Sequence, residues 1–344
     1  MASCGRRIER QQVTKERHHD VLFSALPSHG AERPRVMALN SAQTADTATA
    51  ALRSGTWRMA LAMALSGTIG LVVVQSGQAP LTVVFFRCLI GGAGLAAWLT
   101  LSRSWARMRA VDVAWLVGGG LALVLNWLCL FTAYRYSSIS VATVVYHTQP
   151  FMLLAITALV QREGFDRARM PWLVLAFVGV MLTSELSLGA ASRANWQGVA
   201  LACAAAFLYA IATLVTRRLK HLPSAQIAVV QMAVGTAVLM PIAWPAMGPL
   251  DARGWLAVLT LGLVHTAFMY TIMYAAFQRL PAQSIAALSF IYPLVALLVD
   301  LLFFKVVLSP WQWLGMGAIL VAVIADQRKW GVAKTALQPI TKAR

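Results

Sequence analysis

From residue 58 to residue 326 the chain alternates long apolar runs with short polar stretches. The runs are roughly 17 to 24 residues long, and a helix of that length, at about 1.5 Å per residue, crosses the roughly 30 Å hydrocarbon layer of a bilayer. They fall at 58–76, 80–100, 111–134, 138–160, 171–188, 196–216, 225–245, 255–277, 283–304 and 310–326, which predicts an all-α integral membrane protein of ten transmembrane helices. The clusters "LIGGAGLAAW", "LVGGGLAL", "LACAAAFLYA" and "LGMGAIL" put small residues on the helices, and small residues let backbones approach closely in lipid.

Polar groups interrupt this pattern at a few places. In "VVYHTQPFMLLA", residues 144–155, Tyr146, His147 and Gln149 precede Pro150, and in the ninth run Ser289 and Tyr292 precede Pro293. A proline inside a helix removes a backbone hydrogen bond and kinks or breaks it, and backbone freed in this way survives at membrane depth only against protein or a water-filled cavity. Packing kinks and a midplane cavity are both compatible with the two prolines. Tyr146 and Gln149, three apart, share a helix face, whereas His147 and Gln149 share one only if the helix unwinds. His147 therefore reads as a bond to a neighbouring helix. In the eighth run His265, Thr266, Tyr270 and Tyr274 form a polar stripe, the last three at spacings of four, while Asn126 and Tyr209 stand in the third and sixth runs. The candidate substrate-binding set is Tyr146, Gln149, Asn126, Tyr209, His265, Thr266, Tyr270, Tyr274 and Tyr292.

Arg87 and Asp300 are the most expensive side chains in the spans, because an Arg or Asp at a helix centre costs roughly 2.5–3.5 kcal/mol on translocon scales. Counted from the outer span ends they lie at similar depths, about 10 and 7 Å. As structural or gating charges they have three open roles: an ion pair with each other, a substrate-facing Arg87 with Asp300 as a proton or gating carboxyl, or separate structural partners.

Composition agrees with the pattern. Hydrophobic residues make up 59 % of the 344 and charged residues 12 %, with a mean hydropathy of +0.68, well outside the range of soluble domains. The net charge of +17 would indicate nucleic acid in a soluble protein, but its placement removes that reading. With a cytoplasmic N-terminus, the inner segments collect the basic tail, Arg103, Arg107, Arg109, Arg162, Arg167, Arg169, Arg217, Arg218, Lys220, Arg279, Arg328, Lys329, Lys334, Lys342 and Arg344. The outer loops hold Arg135, Arg193, Arg253 and Lys305. This asymmetry is the positive-inside rule and predicts an inner (plasma) membrane protein with both termini cytoplasmic. Cys4, Cys88, Cys129 and Cys203 form no CxxC site, and His18 with His19 lacks a third ligand, so neither metal nor cofactor is expected. Residues 1–56 read as a disordered cytoplasmic tail, with Met37 an alternative start, and 327–344 as a second tail.

The chain also repeats. Shifted by 143 residues, Gly119 meets Gly262, Ala133 meets Ala276, Pro150 meets Pro293, Leu154 meets Leu297 and Leu159 meets Leu302, and a shift of 144 brings Gly91 onto Gly235. Residues 57–188 and 189–326 thus form two halves of five crossings each. An odd number makes the second half inverted relative to the first, an architecture of many secondary transporters. The segments "FFRCLIGG", containing Arg87, "AYRYSSISVATVVYHTQP", "AAFQRLPAQSIAALSFIYP" and "PWQWLGMGAILVAVI" resemble the EamA-type branch of the drug/metabolite transporter superfamily. The resemblance runs from about Trp57 to Asp326. It departs at "LSGTIG", where the family shows a Trp-Gly pair, and at Val306, the counterpart of the acidic Glu163. It implies two inverted five-helix repeats around a central cavity and export or exchange of metabolites such as amino acids.

The expected function is a secondary-active permease for a small metabolite, working by alternating access, with a coupling proton as a compatible second substrate and either a monomer or a homodimer as the working unit. An enzyme is not expected: GxxxxGK[ST] and HExxH are absent, and no nucleophile–base pair stands in a recognisable setting. A non-transporting scaffold would need an extramembrane domain, for which the short loops leave no room.

Overall fold

The structure is a computed structural model and describes residues 32–137, 139–160, 164, 166–184, 196–245, 247–305 and 307–330. The first 31 residues, with Cys4, His18 and His19, and also Arg162, Glu163, Arg193, Val306, Lys334, Lys342 and Arg344, lie outside them. Leu52–Arg344 forms one compact unit, and it is this unit that carries the site.

Among the described residues the fold is all helical. The ten helices are α1 (Glu32–Gly67, resumed at Ile69–Ser76), α2 (Pro80–Leu101), α3 (Ala110–Tyr136), α4 (Ile139–Tyr146, then Gln149–Val160) and α5 (Met170–Thr183). The second set is α6 (Trp196–Arg218), α7 (Ser224–Ala243), α8 (Ala252–Gly262, Leu263–Phe268 and Met269–Phe277), α9 (Ala282–Ser289, then Ile291–Phe303) and α10 (Pro310–Gln327). Eight of them, all but α5 and α10, are long and apolar enough to cross a membrane by length and composition. The chain is a multi-pass membrane protein. Residues 32–56, expected as tail, are helical here, and the alanine content of "MALNSAQTADTATAAL" accounts for it, alanine being the strongest helix former.

The neighbours of each helix follow the duplication. α2 packs on α7, α4 on α9 and α5 on α10, each helix against its own repeat counterpart. The contact α3–α6 is matched by α8–α1, α3–α7 by α8–α2, and α4–α6 by α9–α1. The core therefore lies between the halves, and neither half buries its apolar surface alone. The repeat glycines sit where this packing is tightest. A Cβ on Gly91 would stand 2.5 Å from Thr266 Cγ2 and 2.9 Å from the Gly262 carbonyl oxygen, and one on Gly262 would stand 2.6 Å from Ile90 Cβ. With backbone that close there is nothing flexible to move aside, and overpacking costs typically 1–3 kcal/mol. Gly262→Leu is expected to lower the thermal unfolding midpoint and the monodisperse yield in detergent, while leucine at Gly118, where a Cβ meets nothing within 4 Å, leaves both unchanged.

One end of the bundle is tied by side chains that replace backbone partners. Gln226 at the start of α7 accepts from the Ala106 N–H at 2.8 Å and donates to its carbonyl at 2.9 Å. Gln283 at the start of α9 does the same for Asp166, at 3.0 and 2.9 Å. Gln278 donates to the carbonyls of Leu219 and Leu222. Asp112, in the first turn of α3, accepts from the backbone and guanidinium of Arg109 and lies 3.2 Å from His221 Nε2. Beside these ties Arg169 and Asp326 form a buried two-bond ion pair, Nε to Oδ1 at 2.8 Å and Nη2 to Oδ2 at 2.5 Å. The loops involved, after α2, α4, α6 and α8, hold seven arginines in the sequence, whereas the loops at the opposite end hold one, Arg193.

Candidate functional site

The helix breaks fall just before the prolines rather than on them. α4 stops at Tyr146 and restarts at Gln149, and the first part of α9 stops at Ser289, with Ile291 opening the second. Tyr146 and Ser289 are each four residues ahead of their proline, the position whose carbonyl a proline ring displaces. The turn residues His147 and Phe290 are 143 apart, the repeat offset, and their rings meet with centroids 6.3 Å apart. The two symmetry-related breaks thus touch.

This unwinding reorients the polar residues of α4. The His147 ring stacks on Tyr292 at 5.9 Å and 17°, and its Nδ1 lies 2.7 Å from the Thr143 carbonyl. Histidine thereby reaches the neighbouring helix α9, as its spacing implied. Gln149 is 6 % exposed and its side chain makes no hydrogen bond among the described residues. Tyr146 accepts from Asn126 Nδ2 at 3.2 Å, and the same Nδ2 donates to the Ala205 carbonyl at 2.8 Å, while Asn126 Oδ1 is buried without a partner. Tyr146 also faces Tyr209, centroids 6.2 Å apart, and the Tyr209 hydroxyl donates to Met273 Sδ at 3.7 Å.

In α8 the stripe is altered by a one-turn π-helix, Leu263–Phe268. Such bulges are frequent at functional sites. The wide turn lets two side chains reach the carbonyls five residues back: Thr266 Oγ1 donates to Leu261 O at 2.8 Å, and His265 Nδ1 lies 3.4 Å from Thr260 O. His265 Nε2 meets the Thr68 hydroxyl at 2.9 Å, at the break in α1. That hydroxyl also donates to Leu65 O at 2.8 Å, so it joins its own helix to His265. His265 and Thr266 are thus engaged in joining helices. Tyr270 and Tyr274 pack edge to face at 5.3 Å. The Tyr274 hydroxyl donates to Gln231 Oε1, whereas the Tyr270 hydroxyl, on a residue 4 % exposed, has no partner among the described residues.

Arg87 donates from Nε to Thr266 Oγ1 at 3.2 Å and from Nη2 to the His265 carbonyl at 3.4 Å, and its guanidinium lies 5.7 Å from the centre of the Trp127 ring. Among the described residues the Arg or Lys ion pairs are Arg109–Asp112 and Arg169–Asp326, so Arg87 and Asp300, the pair of similar depth, do not form one. Both lie within electrostatic reach of the Tyr292 hydroxyl. Residues absent from the sequence reading complete the site. Trp127 and Tyr270 are one repeat offset of 143 apart, and Gln231 is the counterpart of Arg87 at the offset of 144 that also relates Gly91 to Gly235. That arithmetic was the signal available for both. Tyr134, whose ring lies 6.3 Å from that of Phe131, carries no such mark. A separate cavity of about 190 Å³ beside Arg169 and Asp166 is smaller than a typical ligand pocket and lies at the tied end.

A helical membrane bundle built from two related halves, with partnerless polar groups where its helices are broken, defines a membrane transporter. The EamA-like transporter family model matches residues 54–185 and 196–325, and the chain belongs to that family, part of the drug/metabolite transporter superfamily. It is similar to an uncharacterized transporter, YxxF, of Bacillus subtilis, at 27 % identity over 72 % of this chain and 80 % of the relative. It is similar to the pseudopaline exporter CntI of Pseudomonas aeruginosa at 28 % identity over 53 % of this chain and 63 % of the relative. A third relative is a probable amino-acid metabolite efflux pump of Salmonella typhimurium, 25 % identical over 66 % and 80 %. A crystal structure with a TM-score of 0.70 at 19 % identity, covering 83 % of this chain and 99 % of the other, shares the fold.

Proposed function

We propose that the protein is a secondary-active exporter of a small metabolite, residing in the cell's inner membrane and working by rocking its two halves about the broken helices α4 and α9. The observation that carries this reading is a set of polar groups, on buried residues near the two breaks, that have no hydrogen-bond partner among the described residues: the Gln149 amide, the Tyr270 hydroxyl and Asn126 Oδ1. Buried polar groups are nearly always hydrogen-bonded, so unfilled ones near the breaks are most economically read as waiting for a ligand. The exporters among the relatives support the direction of transport, and the arginine-rich loops support cytoplasmic termini.

Counterflow of a panel of labelled metabolites in proteoliposomes tests the function, with uptake into loaded vesicles the expected result. Tyr270→Phe and Gln149→Leu are expected to change the half-saturating concentration of the transported compound about ten-fold with unfolding midpoints near wild type, because neither variant removes an internal bond. A matching loss of stability would assign the residues to packing instead. For the topology, a periplasm-active reporter is expected to be silent on the C-terminal tail and active in the loop near Arg253. Activity at the tail would refute cytoplasmic termini.

A further inference from the structure

We infer, resting on that transport reading, that Arg87 is the anchor for a carboxylate and that the cargo is a monocarboxylate with a flat or apolar body. Of the five N–H donors of the guanidinium, one on Nε and one on Nη2 are used, and both go to neutral oxygens. Among the described residues Nη1 has no partner and no carboxylate forms an ion pair with Arg87. A buried guanidinium without a counter-ion is costly, and a planar carboxylate accepting from Nη1 and Nη2 side by side is the ligand whose geometry fits its fork.

The walls specify the rest of the molecule. Arg87 lies over Trp127 on one side, and Tyr270, the repeat counterpart of Trp127, is within its electrostatic reach on α8, as Tyr292 is on α9. Trp127 offers a face on which a flat or apolar body can stack, and two further aromatic residues stand near the charge. Charge sets the valence. At the repeat position of Arg87 the second half has Gln231, so the duplicated site carries one permanent cation rather than two. A single positive charge balances a carboxylate, whereas a phosphate dianion would be left with an uncompensated charge in a low-dielectric setting.

The test uses acid–amide pairs with bodies of increasing size: acetate with acetamide, phenylacetate with phenylacetamide, and indole-3-acetate with indole-3-acetamide, plus phenyl phosphate. Each is read twice, as a shift in unfolding midpoint of the detergent-purified full chain and as competition in counterflow. The aromatic acids are expected to act at least ten-fold below the concentrations of their amides. That preference is expected to vanish in Arg87→Gln and to return in part in Arg87→Lys. In case Arg87→Gln does not fold, the wild-type preference is followed from about pH 6 to 9. It should persist, since guanidinium stays charged over that range, whereas an acid held by His147 or His265 would lose its partner as imidazole deprotonates. Besides His265, the titratable groups close to the guanidinium are Cys88, Tyr270 and Tyr292. The assignment is overturned by amides acting as well as acids, by phenyl phosphate outcompeting the acids, by an acid preference that survives in Arg87→Gln, or by no acid acting in either readout. Counterflow of amides as fast as acids removes the anchor and leaves the transporter. Acids that raise the midpoint when no compound exchanges do the opposite.

Discussion

Asp326→Ala is expected to destabilise the protein by about 3–5 kcal/mol, the cost of removing one partner of a buried ion pair. Asp326 is 1 % exposed and Arg169 8 %, so truncation strands a guanidinium where water cannot replace the carboxylate. Its remaining bond, to Ser284 Oγ at 3.4 Å, is long and neutral. The measurement is the unfolding midpoint and monodisperse yield in detergent, with Arg169→Met/Asp326→Leu as control. The double variant should recover most of the loss, since well-packed apolar residues replace buried ion pairs at little cost. A double variant as unstable as Asp326→Ala would show that the two residues serve separate partners.

The second large effect is expected from Gln226→Leu/Gln283→Leu. Each glutamine pairs with both backbone groups of one loop residue, Ala106 or Asp166, and links a helix of the second half to a loop of the first. Each hydrogen bond contributes about 0.5–1.5 kcal/mol net, so losing four should raise the population open at this end by about ten-fold or more. Thr157, 1 % exposed and lining the small cavity beside these ties, reports the change. A cysteine there, in a background without Cys4, Cys129 and Cys203, should react with a membrane-impermeant maleimide about ten-fold faster in the double variant. Unchanged labelling would mean that the amides fasten loops without gating.

The particular elements separate what could be read from the chain and what could not. Gly91, Gly119, Gly235 and Gly262, found by sliding the sequence over itself, mark close helix approaches between the halves, because a backbone contact that admits no Cβ constrains the residue type itself. The polar residues of α4 were legible as a group for a similar reason: in an apolar run each one stands out. Apart from that of His147, their directions were not. The α8 stripe was read at 3.6 residues per turn, and "LVHTAF" holds neither proline nor glycine to announce a π-helix, so the engagement of Thr266 with Arg87 and of His265 with Thr68 was invisible. Similar depth made a pairing of Arg87 with Asp300 one of three open readings. Depth along the membrane normal says nothing about which side of the bundle a helix occupies.

The sequence by itself determined that the protein is a helical, multi-pass membrane protein of duplicated halves and that its polar centre gathers near Pro150 and Pro293. Length, hydropathy and repetition are carried by neighbouring residues and act over one helix at a time. Only the tertiary structure decided the partners: Arg169 with Asp326, 157 residues apart, Tyr274 with Gln231, Arg87 with Trp127, and His147 against Phe290. In the bilayer each apolar helix satisfies its own backbone and is stable alone in lipid. What brings two helices face to face is the fit of small residues and the pairing of a few polar atoms, and neither leaves a period in the chain.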